Sequence, residues 1–271
     1  MGFSIIKDAG EIIWVPVEPG ATVYNGALVS IDHSALADGI ATMPVAAGVS
    51  NTTNKDIPFG ICIGNNLKTQ LYSSTYKTNY ITAVAAGSSH GDNTEYVMVD
   101  GVFGKTDKQP MIQVQLIKGP NTTIRGNVFN AAVGTAPTLL TATVASTDGL
   151  GTTTNATQVT PVANLCTIYC RKGGNPGSYR IVDTTSTTVH TWTKAMNNDI
   201  AIGDTFVIAP LRMFGTTYMQ LAATVGLWVE ASAAPATNYF VVEVERLDLS
   251  EAGKEYVEFR FNADNFCAAR A

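Results

Sequence analysis

The side chains able to do chemistry are few in this sequence, and their spacing keeps them apart. His33, His90 and His190 are the only histidines. None lies close enough to another for the HExxH-type spacing by which one segment presents two imidazoles to a zinc ion. Gly87-Ser88-Ser89-His90-Gly91 fits G-x-S-x-G, the turn that exposes a hydrolase serine between a strand and a helix. Here the chain runs on through Asp92 and Asn93 into TEYVMVD, a β-type segment, so the match reads as a loop. Gly104-Lys105-Thr106 ends like a phosphate-binding loop, but Val99 stands where that pattern requires glycine and no βαβ unit follows. Gly149 and Gly151 lack the third glycine of a dinucleotide fingerprint. Glu243, Glu245 and Glu258 could be paired as glycosidase carboxylates. Arg246 and Arg260 accompany them in one hairpin, which reads instead as a solvated face of opposite charges. The expectation is a non-enzymatic protein with no catalytic residue, no metal site and no cofactor.

Cys62, Cys166, Cys170 and Cys267 are the four cysteines. In LCTIYCR, Cys166 and Cys170 fall on one face of a strand, about 13 Å apart, whereas a disulfide needs Cα atoms within roughly 7 Å. No further zinc ligands stand nearby. All four read as small buried hydrophobes of a chain made in a reducing compartment. His190 alternates with Trp192 in VHTWT and reads as an ordinary strand residue, packed or on the surface.

The elements that must position these residues are strands. Short β-type runs punctuated by Gly, Pro, Asn and Asp predict strands over 11–17, 22–31, 57–64, 96–103, 111–117 and 124–129. In MIQVQLI, Ile112, Val114 and Leu116 share one face and Gln113 and Gln115 the other. In DIPFGICIG, Ile57, Phe59, Ile61 and Ile63 share a face, and Pro58 suggests that the strand begins at a sheet edge. The second half continues with LCTIYC and with a hairpin looping at 184–187. A Gly203-Asp204 turn then feeds 205–208. A last hairpin turns at 250–253, with Val257, Phe259 and Phe261 inward. Only 217–230 competes for helix, through Leu221, Val225, Trp228 and Val229. These patterns predict an all-β chain. The expected layout is a small N-terminal barrel over 1–134 and a second β-sandwich or barrel domain over 135–271, with a flexible Thr/Gly-rich stretch at 147–155 in which nothing anchors a core.

Charged residues are 14% of the 271, against about 25% in an average soluble domain. So uncharged a surface suits either a large assembly that buries much of it against neighbours or a secreted β-protein coated with Thr and Ser. A net charge of -5 argues against nucleic acid, whose phosphates recruit Lys and Arg. No window approaches the roughly 18 apolar residues of a membrane span, and the N-terminus lacks the basic-then-apolar pattern of a secretory signal. Neither a nucleic acid nor a membrane is an expected partner.

Certain runs resemble a known family. GALV at 26–29, a Pro-containing loop and IPFGI at 57–61 are similar to tailed-phage capsid decoration, or cement, proteins. YCRKGGNPGSYRIV at 169–182 and IGDTFVIAP at 202–210 are similar to runs in phage virion proteins. These motifs are structural rather than catalytic and cover about half the chain. The resemblance implies a β-tulip or similar small barrel on the surface of the phage head, made in the host cytoplasm. It also implies the major capsid protein as partner and self-association as a trimer at local threefold positions, bracing capsomers against internal pressure. The chain is longer than many such proteins. The apolar N-terminal residues Phe3, Ile5, Ile6, Ile12, Ile13 and Trp14 are the expected capsid- or partner-binding arm, adding a strand to a neighbour; they could equally be the first strand of the barrel. The runner-up is a head fibre, tail-tube or baseplate component that binds a host glycan or another protein, through aromatics such as Tyr72, Tyr76 and Tyr80. A secreted carbohydrate-active enzyme is the third reading and requires convergent carboxylates.

Overall fold

Alternating apolar and polar residues bury one face of a strand only when a second sheet or a closed barrel covers it, and this chain uses both solutions. The computed structural model describes residues 2–17, 21–31, 40–42, 57–65, 71–74, 78–82, 96–99, 102–105, 111–128, 139–155, 164, 166–185, 188–209, 211–221, 228–231 and 240–263. They form an all-β fold without helix.

The first body is a half-barrel. Ala9–Pro16, Met111–Ile117, Ile57–Asn65, Leu28–Ile31 and Ile40–Thr42 lie side by side in that order, all antiparallel. A second sheet, Thr22–Tyr24, Thr78–Thr82 and Leu71–Ser73, supplies Val23 and Ile81 to the same core, which also holds Val15, Val17, Val29, Cys62, Ile112 and Val114. Ile112 and Val114 point inward as the alternation requires. The strand Ile57–Asn65 departs from expectation. It is interior to the sheet rather than at an edge, and its apolar residues do not share one face. Ile61 and Cys62 are both buried, in different cores, whereas Ile63 is exposed. Two register shifts are the cause, because Phe59 and Ile63 are extra residues opposite Val29/Ser30 and Gln113/Val114, and each bulge reverses the alternation beyond it. Pro58 is tolerated beside the first bulge, where ladder pairing is already interrupted.

One ribbon joins this body to the next. Ser4–Lys7 and Ala9–Pro16 are separated only by Asp8, at φ +56°. Their partners Met111–Ile117 and Thr123–Val128 are separated by a five-residue turn, which Thr122 ties to the carbonyl of Asp8 (3.2 Å). Beyond the ribbon, Thr123–Val128 pairs with Tyr256–Phe261, that strand with Phe240–Asp248, then Gly215–Leu221, then Trp228–Ala231. The last returns in parallel to Thr123–Val128, with Asn127 opposite Trp228 and Val128 opposite Val229. The pairings therefore close a five-stranded barrel, with Ser4–Lys7 appended. Ile124, Val128, Met219, Val242, Val244, Val257, Phe259 and Phe261 fill it. The helix considered over 217–230 is instead two antiparallel strands, Gly215–Leu221 and Trp228–Ala231. Thr217 and Met219 are both buried on alternate positions of TTYM, and β-branched and aromatic residues favour a strand there.

The third body lies within 139–209. Leu140–Thr141, Thr205–Ala209, Thr167–Lys172, Tyr179–Thr185, Val189–Trp192 and Gly151–Thr153 pair in that order, and an Ala142–Thr154 bridge links the first to the last. Its core holds Trp192, Phe206, Cys166, Ile168, Cys170 and Ile208. The stretch 147–155, expected to lack any anchor, is fastened. Trp192 Nε1 and the backbone N–H of Met196 both donate to the Gly149 carbonyl (2.6 and 2.9 Å), and Thr152 and Thr154 are buried. Its anchors come from residues about 40 positions away in sequence, which local composition does not reveal.

The expected domain boundary at 134 lies outside the described residues. Strands from both sides of it share the five-stranded barrel. The third body packs on that barrel through the outer faces of its strands: Tyr169, Val207 and Ala209 join the barrel core, and the Tyr169 and Tyr179 rings meet at 4.5 Å, tilted by 44°. Arg171 donates to the Leu249 carbonyl (3.0 Å) and pairs with Glu255, which is 2% exposed. Arg171→Met leaves that carboxylate buried without its cation; removing one partner of a buried pair costs about 3–5 kcal/mol. Equilibrium denaturation should show a loss of that size, and a smaller one for the double variant Arg171→Met/Glu255→Leu.

Candidate interaction surface

Most ionisable residues singled out for chemistry either carry opposite-charge partners or are buried. Arg260 lies 3.4 Å from Glu243 and 2.9 Å from Glu245, Arg125 bonds Glu258 at 2.5 Å, and Arg246 bonds Asp248 at 3.2 Å. The register sets Glu243 opposite Arg260 and Glu258 opposite Arg246, and the Arg125 guanidinium lies 4.4 Å over the Tyr256 ring. This is an outward ladder of alternating charge, the face expected from the hairpin. His190 is fully buried, 3.3 Å from the Thr154 hydroxyl, and burial pushes its pKa down.

Burial raises the Cys62 thiol to about 12 and the Cys170 thiol to about 11, so neither is a thiolate at neutral pH. Among the described residues no three His, Cys, Asp or Glu side chains are grouped to hold a metal. No helix there is long and apolar enough to cross a membrane. His33, His90, Cys267, Tyr76 and the whole of 87–91 lie outside the described residues. Lys105 ends the strand Val102–Lys105, paired with Tyr96–Val99.

The N-terminal residues divide into two groups. Phe3 is buried, its ring edge-on to Phe259 at 6.2 Å and its N–H bonded to the Gly26 carbonyl (2.8 Å). A Cβ on Gly126 would lie 2.5 Å from the Phe3 ring; glycine there makes the room that the ring occupies. Ile5 and Ile13 are half-buried against the barrel and half-barrel cores respectively. Ile6, Ile12 and Trp14 are exposed, the last two by 55% and 47%. Ile12 and Trp14 project from the outer face of Ala9–Pro16, opposite Gln115 and Gln113. The bulged Ile63 is exposed in the next strand but one. Sequence reasoning set Ile63 on one face with Ile61 and did not mark Val144, Leu150, Ile202 or Phe214 as surface residues, and all five are exposed. Ile202, directly before the Gly203 turn, carried the one usable signal, an isoleucine where turns favour polar residues.

Comparison with protein-family models, with curated proteins and with solved structures finds no match to this chain.

Two outcomes test this division. Phe3→Ala should cost about 3–5 kcal/mol in denaturant unfolding and Gly126→Val about 1–3 kcal/mol through overpacking, whereas Trp14→Ala should change stability little. His190 in the fold binds a proton less readily than its ordinary value of 6.5, so the unfolded chain protonates first as pH falls. The stability it permits is therefore present above about pH 6.5 and lost below it. His190→Gln should flatten the fall in stability below that pH.

Proposed function

We propose that this chain is a non-enzymatic structural protein of a virion, a decoration protein that binds the mature head of a tailed phage and braces it. One observation carries the assembly reading. On a chain with 14% charged residues, large apolar side chains are held outward on strands and turns of separate bodies: Ile12, Trp14 and Ile63 on the half-barrel, Val144 and Ile202 on the third body. Side chains fixed on rigid backbone lose little entropy when a neighbour covers them. A protein that works by binding alone gains from many weak, repeated contacts. The assignment to a phage head rests on the resemblance of 26–29, 57–61, 169–182 and 202–210, and from it follow the major capsid protein as partner and a trimeric state.

Exposure of Tyr72 (59%) on Leu71–Ser73 favours the second reading, a fibre, tail-tube or baseplate component with a glycan- or protein-binding face. Quantitative mass spectrometry of purified virions separates the two. A ratio near one copy per capsid subunit is the expected result, a few to a few dozen copies would move the protein to a tail or fibre, and absence would refute a virion role.

A further inference from the structure

Ala9–Pro16 is bonded on one side to Met111–Ile117, and no described strand pairs with its other side. Exposed edges are usually blunted by charge, proline or a bulge. The charge, the bulge and the proline of this strand fall at its ends, at Glu11, between Ala9 and Ile12, and at Pro16, and from Ile12 to Val15 it carries none of them. We propose that this edge pairs, antiparallel and about a two-fold axis, with the same strand of a second copy of the chain.

The sequence of the strand argues for its own copy as occupant. Two-fold pairing centred on Ile13 places Ile12 of each copy opposite Trp14 of the other, so both exposed side chains are covered by aromatic–β-branched pairs, a favourable cross-strand combination. A shift of one residue would set the outward Ile12 and Trp14 against core-facing positions. A shift of two would pair either Ile12 or Trp14 with itself and leave the remaining one opposite Pro16 or Gly10. In the centred register Glu11 stands opposite Val15, so like charges do not meet. Gln115 and Gln113, beside Ile12 and Trp14 in the next strand, give a four-residue apolar centre an uncharged polar rim, the usual anatomy of a protein interface. This contact does not depend on the virion reading. It differs from the threefold arrangement that the resemblance implies, and in a layer over a capsid it would join one trimer to the next.

Sedimentation of the free, full-length chain over about three decades of concentration tests the pairing. The wild type should associate reversibly. Trp14→Lys and, separately, Ile12→Lys should weaken that association at least about tenfold, with thermal midpoints unchanged at concentrations where the wild type is monomeric, while Val189→Lys, at an exposed strand position of the third body, should associate like the wild type. A wild type that fails to associate through this edge overturns the proposal and leaves the edge to a strand of another protein. So does an association that neither lysine on the strand weakens.

Discussion

The strand Thr123–Val128 is bonded along both edges, and the arrangement of the chain depends on it. Tyr256–Phe261 occupies one edge, while Ser4–Lys7 and Trp228–Ala231 share the other in succession. A backbone N–H or C=O left unpaired inside a core costs about 1–3 kcal/mol, so a strand at the centre of a barrel must find partners for both sides. Here those partners come from the beginning, the later part and the end of the described chain. The half-barrel is tied to the same strand because Met111–Ile117 leads into it through a short turn.

The inward face of that strand carries a second constraint. Gly126 lies between Ile124 and Val128, and the space where its Cβ would be is filled by Phe3. The N-terminal segment is thereby fixed at both levels, by backbone pairing at Ser4–Lys7 and by an aromatic ring packed on Phe259. A segment held in this way is part of the fold up to Lys7, with Ile6 alone of its large apolar side chains outward, and beyond Asp8 it turns Ile12 and Trp14 outward as well.

The third body is attached differently. Thr167–Cys170 and Phe206–Ala209 are buried on both faces: Cys166, Ile168, Phe206 and Ile208 point into their own barrel, and Tyr169, Val207 and Ala209 point into the neighbouring core. Apolar contact of that kind fixes distance but not orientation. The pair between Arg171 and Glu255, with the Leu249 carbonyl as a further acceptor, supplies a directional contact. On the proposed reading rigid attachment matters, because Ile202 and Val144 keep a set distance from Ile12 and Trp14 only if the bodies do not turn against one another.

Period-two alternation makes Ile112 and Val114 core residues and makes Val257, Phe259 and Phe261 one inward row, whatever sheet they join; side-chain direction along a strand is a local property. So is the charge ladder of Glu243, Glu258, Arg246 and Arg260, since a hairpin brings neighbours in sequence face to face. The candidate surface was legible only in part: the apolar N-terminal segment stood out, but not which of its members are core. Phe3 and Trp14 are equally apolar aromatics in one short segment, and the gap over Gly126 takes the first inward while the second falls on the outward face of Ala9–Pro16. Bulges at Phe59 and Ile63 reversed an alternation that looked regular, and anchors from Trp192 and Met196 fixed 147–155. Composition and alternation by themselves determined an all-β chain, its turns and most of its inward rows. Barrel closure, the sharing of strands across 134 and the exposed set were decided by tertiary structure, because each depends on partners that lie tens of residues away or more, beyond the reach of any local pattern.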